Sequence, residues 1–416
     1  MEPWLTIAWY RCTSQDQEYA ETFSDTSENE VILPGVWCHA FTEQQSILHT
    51  HRKHINEYEH SSGTSEWEYY KKIVNPYELV YTQKKYANFP ESICLLNPLS
   101  RSYFKMIELL SVVDFMGALP KQTTKLVSAH VCEGPGGFIQ GFIDACERKR
   151  IAATCYAITL KPKQPNVPGW KRATHFLQRH RNIHIQYGSD GTGDLLNYQN
   201  QNDFIASCEV KPHLFTGDGG FDFSMDYDSQ EQTIFPLLLA SVRTGFEVLR
   251  QGGLFILKFF DLYYPGTRDL VYFLSQHFVK WTLYKPAISR PCNPELYFVG
   301  NWFCPPKPAA LAALRAWSAA ACRQDPPLRL YAKNLPEPFS SCLEQMIEQS
   351  VKKQIVYLEK VFSLVKTQGT AEIKRMLLEH EQVSYNWCKV FSAPVYPARI
   401  RLIEASRTCL QAAGPP

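Results

Sequence analysis

Gly252-Gly253-Leu254-Phe255-Ile256-Leu257-Lys258-Phe259-Phe260 is an apolar run broken by a single charge. Without Lys258 it reads as a parallel strand buried on both faces, because such strands are continuously rather than alternately hydrophobic. A lysine in that setting costs several kcal/mol unless partners compensate or the amine gives up its proton. A lysine driven toward neutrality is a potential base.

Working outward, strand-like segments recur at 126–132, 154–160, 182–187, 212–217, 280–285 and 296–303, separated by helical patterns. With 253–259 they predict a mostly parallel seven-stranded α/β sheet with helices on both faces. Residues 1–95 are polar and aromatic, with turn formers at Pro34-Gly35 and Ser61-Ser62-Gly63, and read as an extension packing on the core domain, 96–304. Pro305-Pro306-Lys307-Pro308 opens a linker and C-terminal helical region, 305–416, in which Leu343, Ile347, Val351, Ile355, Leu358, Phe362 and Val365 form the apolar stripe of a long helix.

Composition excludes several classes. The chain has 416 residues, 45% hydrophobic and 20% charged, as expected of a globular protein with a sizeable core. Its 13 cysteines show no CxxC pair and no Cys/His cluster at zinc spacing, so neither a disulfide framework nor a metal site is expected. The start, Met-Glu-Pro-Trp-Leu-Thr, lacks signal-peptide regions and no apolar run has membrane-spanning length. A cytosolic or nuclear protein without membrane contact is expected. The net charge of +2 leaves a nucleic-acid partner open.

Two turns carry chemical signals. Val131-Cys132-Glu133-Gly134-Pro135-Gly136-Gly137-Phe138 ends the first strand and opens a helix. Glycines there admit close approach of a ligand to backbone N–H groups, although a tight turn without ligand reads similarly. A dinucleotide reading needs G-x-G-x-x-G and an acid ending the next strand, but Tyr156-Ala157-Ile158-Thr159-Leu160 ends in Thr and Leu, which disfavours hydride chemistry. Leu214-Phe215-Thr216-Gly217-Asp218-Gly219-Gly220-Phe221 places Asp218 at a strand's carboxyl end, where open α/β sheets form their ligand crevice. The alternative for Asp218 is a turn-forming residue.

Together with Ser100-Arg101-Ser102-Tyr103-Phe104-Lys105 and Lys285-Pro286-Ala287-Ile288-Ser289-Arg290-Pro291-Cys292-Asn293-Pro294-Glu295, these segments resemble the FtsJ-type ribose 2'-O-methyltransferases. Lys105, Asp218, Lys258 and Glu295 match the order and spacing of that superfamily's Lys-Asp-Lys-Glu tetrad. Asn75-Pro76-Tyr77-Glu78-Leu79, Ile158-Thr159-Leu160-Lys161, Gly191-Thr192-Gly193-Asp194 and Phe260-Asp261-Leu262 are similar to its mRNA cap branch, which has eukaryotic, kinetoplastid and viral members. The resemblance covers roughly 75–304. It implies a Rossmann-like methyltransferase fold, S-adenosyl-L-methionine as cofactor, the capped 5' end of an RNA as substrate, and nuclear residence, or cytoplasmic for a virus-encoded member; the C-terminal region is open to docking on the core, binding other capping factors or forming an oligomer. Ribosomal or transfer RNA as substrate, and an inactive RNA-binding capping subunit, remain open alternatives.

The chemistry fits the tetrad. Methyl transfer to a ribose hydroxyl requires alignment and removal of one proton, for which a neutral amine suffices. Asp218 and Glu295 favour the charged form of Lys258, whereas burial, Lys105 and a bound sulfonium oppose it. Asp218 would orient Lys258, and Glu295 would anchor Lys105 and the ribose.

By resemblance, Glu133, Gly134, Pro135, Gly136, Gly137 and Phe138 surround the cofactor, Thr159 and Leu160 border its sugar and adenine, Asp194 contacts the adenine amine, and Asp218 closes the site. Many family members carry an acid where Thr159 stands. Between Lys161 and Ser189 there is no Asp or Glu, while Lys161, Lys163, Lys171, Arg172, Arg179 and Arg181 accumulate with His175, His180 and His184. That run would neutralise RNA phosphates, or it is a solvated basic face. Phe221, Phe223 and Tyr227 offer stacking surfaces for a base or a methylated cap guanine, unless they belong to the core. Arg101, Ser289, Arg290 and Asn293 lie in motifs of the resemblance and are further expected RNA contacts.

Overall fold

The structure, a computed structural model, describes residues 10–11, 33–34, 41–59, 66–82, 89–162, 169–220, 229–323, 328–331, 334–401 and 403. Lys163, Phe221, Phe223 and Tyr227 lie outside the described residues. The chain divides into two compact units, one of residues 1–41, 102–285 and 295–347, the other of 42–101, 286–294 and 348–416.

The first unit is built on strands β3 (Lys125–Val131), β4 (Ala152–Ile158), β5 (Ile183–Gln186), β6 (Leu214–Gly217), β7 (Leu254–Phe259), β8 (Phe278–Tyr284) and β9 (Leu296–Phe303). These are the seven segments expected from the hydrophobic runs, with no end moved by more than two residues. A two-residue strand β1 (Tyr10–Arg11) adds an eighth at the edge, giving the order β1-β8-β9-β7-β6-β3-β4-β5. Two residues are too short to leave a periodic signal, so this edge was not legible. The strands β5-β4-β3-β6-β7 run parallel, while β9 is antiparallel to β7 and to β8. A separate ladder pairs β2 (Leu33–Pro34) with β10 (Leu328–Arg329).

The register brings the motifs to one end of the sheet. Val131 is paired with Gly217 and Gly217 with Leu257, so the turns beginning at Cys132 and Asp218 and the side chain of Lys258 follow one another across three strands. Lys258 is opposite Tyr297 on β9, which places Glu295 just before the start of that strand. Strand β7 is buried along its length, Lys258 itself being half-buried. Helices Ser102–Val112 and Gly137–Arg148 pack together, and Gln230–Val248 packs against Tyr198–Ser207 and Pro308–Cys322. The buried Glu231 accepts the N–H groups of Tyr263 and Tyr264, both at 3.0 Å, and so ties down the chain that leaves β7.

In the second unit, helices Glu43–Glu59, Glu66–Ile73 and Thr370–Val390 join the later turns of Glu337–Thr367. The apolar stripe expected for that long helix is buried at Leu343, Ile347, Val351, Ile355, Leu358 and Val365. A polar cluster also lies here. Glu78 is buried, accepts from Arg290 Nε at 3.0 Å and Nη2 at 2.9 Å, and receives the Asn75 amide at 2.8 Å. Among the described residues no helix is long and apolar enough to cross a membrane.

Candidate active site

Asp218 is the hub. Its Oδ2 accepts from Ser102 Oγ at 2.8 Å, its Oδ1 accepts from Tyr297 Oη at 2.7 Å, and Lys258 Nζ stands 3.3 Å from the same oxygen. Lys258 Nζ also donates to the Asp218 carbonyl at 2.9 Å. A second ion pair joins Lys105 Nζ to Glu295 Oε2 at 2.7 Å, and Lys105 reaches Tyr297 Oη at 3.3 Å. Tyr297, fully buried, therefore links the two pairs by accepting from Lys105 and donating to Asp218. The four expected tetrad residues are together, joined by Tyr297 and Ser102, which sequence reasoning missed.

Each of these interactions has a local origin. Ser102 and Lys105 are three apart on one helix and so project from neighbouring points of one face. Tyr297 comes from its pairing with Lys258 across antiparallel strands. A tyrosine in a hydrophobic strand ordinarily reads as core, and only the register turns its hydroxyl into a bridge.

Charge balance follows from the geometry. Burial disfavours the charged Lys258, but Asp218 and Glu295 outweigh it and hold the amine above its ordinary value. Burial likewise works against the Glu295 carboxylate, but Lys105, Lys258 and Lys285 bring it down to about 2. The Tyr297 phenol is raised well above its usual value by burial and by the Asp218 and Glu295 charges. Without a ligand Lys258 is therefore an ammonium, flanked by carboxylates.

The glycine-rich turn lies beside this cluster. Gly136 has φ 102° and opens helix Gly137–Arg148, whose first residues Gly137 and Phe138 are buried. A Cβ at Gly134 would stand 2.8 Å from the Gly169 carbonyl oxygen, one at Gly219 3.1 Å from Cys132 Cβ, and one at Gly220 3.2 Å from Lys258 Nζ. Gly134 N–H points to Thr159 Oγ1 at 3.4 Å, and a Cβ at Gly193 would overlap the Thr159 carbonyl oxygen. Thr159 is buried and Leu160 exposed. The half-buried Asp194 caps its own turn, its Oδ1 accepting from Leu196 N–H at 2.9 Å, and its charge helps push the Cys132 thiol up to about 12, after burial. Thr159, Asp194 and the glycine-rich turns thus meet at one rim of the sheet, where Gly134 is packed on Gly169, Gly193 on the end of β4 and Gly219 on Cys132.

Beneath the rim lies a second buried network that the sequence did not reveal. His130 Nδ1 lies 3.0 Å from Glu133 Oε2 and 2.7 Å from Thr216 Oγ1, and its Nε2 lies 2.7 Å from Ser128 Oγ. Thr216 Oγ1 also donates to Glu133. Burial opposes a charged imidazole, but Glu133 and Cys155 hold it at about 9, and an imidazolium donating from both nitrogens fits all these partners. The Glu133 carboxylate is thus fixed from below. Among the described residues no group of three or more His, Cys, Asp or Glu side chains is placed to hold a metal ion.

The expected RNA contacts separate into two sets. Lys161, Lys171 and Arg172 are exposed in the first unit, with Lys161 Nζ 5.5 Å from the Tyr187 ring centroid. Arg101 and Arg290 are in the second unit and are committed to protein acceptors. Arg101 donates to the carbonyls of Tyr81 at 2.7 Å and Ile288 at 2.9 Å and stands 3.3 Å from Glu78, while Arg290 grips Glu78 with two nitrogens. Ser289 is buried and Asn293 half-buried, in a turn closed by their N–H bonds to Pro286 and Arg290 carbonyls. The physical reason for the difference is Glu78, a distant buried carboxylate that only the fold brings to these arginines.

Residues 98–303 match the FtsJ-like methyltransferase family. Among curated proteins, the cap-specific mRNA (nucleoside-2'-O-)-methyltransferase 1 of Xenopus laevis is 32% identical over 244 residues, covering 54% of this chain and 26% of that protein. The protein of the same name in Homo sapiens is 31% identical over 242 residues, covering 54% of this chain and 27% of it. That of Dictyostelium discoideum is 28% identical over 249 residues, covering 55% of this chain and 32% of it. The matched stretch thus spans about a quarter to a third of these relatives.

Proposed function

We infer the reaction from one premise: residues 98–303 are an FtsJ-like methyltransferase domain, and the chain is an enzyme of the methyltransferase class. We propose that it transfers a methyl group from S-adenosyl-L-methionine to a ribose 2'-hydroxyl at the capped 5' end of an mRNA or a precursor such as spliced-leader RNA. The observation that carries this reading is the pair of ion pairs Lys258–Asp218 and Lys105–Glu295, joined through Tyr297 at the mouth of the glycine-rich turn.

The donor fits the rim. A glycine-rich turn that opens helix Gly137–Arg148 at the carboxyl end of β3, with Thr159 bonded to it and Asp194 nearby, suits a nucleoside with a charged tail. When bound, S-adenosylmethionine supplies a methyl group already activated by its sulfonium. Glu133, Gly134, Pro135, Gly136, Gly137, Phe138, Thr159, Leu160 and Asp194 would hold it, and Asp218 would border it.

The remaining work belongs to the chain. Lys258 Nζ would take the proton of the ribose hydroxyl, a step typically worth about 10²–10⁴ in rate. Its raised pKa in the free enzyme means that a neighbouring positive charge must first weaken its hold on the proton. Asp218, fixed by Ser102 and Tyr297, would keep the amine aimed, while Glu295 and Lys105 would fix the ribose. Exposed Lys161, Lys171 and Arg172 would receive phosphates beside the rim, and Arg101 and Arg290 would act through the turns they hold. Nuclear residence and contact with other capping factors are consistent with this role.

The test is transfer of labelled methyl groups to capped, uncapped and structured RNAs. The reading predicts strong preference for the capped RNA. Equal or better transfer to structured uncapped RNA would instead support ribosomal or transfer RNA as the substrate.

A further inference from the structure

The basic run does not stop at the rim. Exposed Lys171 and Arg172 follow Trp170 and Gly169, and Gly169 packs against the glycine-rich turn. From there the short turn Lys171–Ala173 and helix Thr174–Arg179 lead away toward His180, whose Nδ1 lies 4.0 Å from Glu147 Oε1 at the far end of helix Gly137–Arg148. Asn182 then fastens the chain to β4, its carbonyl accepting from Cys155 N–H at 2.9 Å and its amide donating to Ala153 O at 2.8 Å. The His180–Glu147 contact thus brings the segment of exposed Arg179 and Arg181 beside that of exposed Arg148 and Lys149, at the amino end of the parallel strands and next to β5, the edge strand among the described residues.

We propose that this sheet edge is a second RNA-binding surface, which takes the phosphates of single-stranded RNA several nucleotides downstream of the methylated ribose. None of these cations is in an ion pair with an acid among the described residues, and Glu147 is the acid interleaved with them. A row of exposed cations with so few acids complements a polyanion. The helical run Lys171–Arg179 alone rises roughly 13 Å at about 1.5 Å per residue. That length spans about four stacked nucleotides at roughly 3.4 Å each. The proposal rests on the RNA reading above and adds a length requirement to it: the substrate should extend beyond the cap-proximal nucleotides.

The experiment compares the full chain with its Arg148→Gln/Arg179→Gln/Arg181→Gln variant, both checked for equal thermal melting. Fluorescence anisotropy would give Kd across a salt series for capped RNAs of about 3 and about 20 nucleotides and for an uncapped RNA of about 20, without methyl donor. For both longer RNAs the variant should bind roughly tenfold more weakly, and its slope of log K against log salt should fall by about 2, near 0.7 for each phosphate no longer neutralised. The affinity ratio of long to short capped RNA should shrink accordingly. An equal loss on short and long RNA, or an unchanged salt slope, would overturn the proposal. So would a variant that keeps its RNA affinity but loses binding to polyglutamate, which would mark the edge as a site for an acidic protein. Because the uncapped RNA and donor-free binding are read directly, a failure of the methyl-transfer reading would leave this result interpretable.

Discussion

Three donors converge on Asp218, and one of them decides how the site behaves with pH. Lys258, beside two carboxylates, holds its proton above the ordinary lysine value, so an enzyme that uses it as a base should speed up as pH rises. A bound sulfonium opposes the ammonium, which moves that rise to lower pH. We therefore expect the rising limb of kcat to lie at lower pH than that of kcat/KM for the donor, as measured in pH profiles, and coincident or flat profiles would argue against a titrating Lys258. Lys258→Ala should lower kcat by about 10²–10⁴ while donor Kd, read by calorimetry, changes little. Tyr297→Phe removes one donor from Asp218 and one acceptor from Lys105. If a cost of about 1–3 kcal/mol for such a buried hydrogen-bonding group falls on the transition state, kcat should fall roughly 5- to 150-fold with KM nearly constant. Lys258 was legible because a charge in an apolar run must have a reason. Tyr297 was not, because its hydroxyl acquires meaning only from a cross-strand pairing that local sequence does not encode.

Among the elements, the strands were legible and their junctions less so. Apolar runs located the central strands β3, β6 and β7, since burial on both faces leaves no alternation to misread, while β5 and β8 were found from mixed segments. The glycine-rich turn was visible as a pattern, but the reason for its partners was not. Gly193 has φ 68°, and a Cβ there would overlap the Thr159 carbonyl, so the Gly-Thr-Gly-Asp turn and the end of β4 are fitted to each other. Gly193→Ala should weaken donor binding by about 1–3 kcal/mol, the usual cost of strained backbone, with melting of the sheet core shifted by much less. The His130–Glu133–Thr216–Ser128 network was hidden because its members sit on two strands and the turn after one of them, the strand members each between apolar or small residues.

For the whole molecule, buried ion pairs mark where distant segments are tied. Glu78 in the second unit is held at about 2 despite burial, chiefly by Arg101 and Arg290. Because its folded value lies below the ordinary 4.5, it adds stability that is fully present above about 4.5 and is lost as pH falls through about 2. A shift of that size corresponds to on the order of 3 kcal/mol. Melting of the wild type should fall more steeply across that window than melting of Glu78→Gln, which at neutral pH should be less stable by about 3–5 kcal/mol because two arginines lose their counter-charge. The sequence offered Arg101 and Arg290 as RNA contacts, since nothing near them in the chain announces Glu78.

Proton removal from a sugar hydroxyl by Lys258 is the central step proposed for this chain. The most direct measurement is mass spectrometry of a short capped RNA after reaction with S-adenosylmethionine, run with the wild type and with Lys258→Ala. We predict one added methyl on the 2'-oxygen of a cap-proximal ribose with the wild type, and none above background with the variant. A methyl on a base or on the cap guanine, or an unimpaired Lys258→Ala, would contradict it.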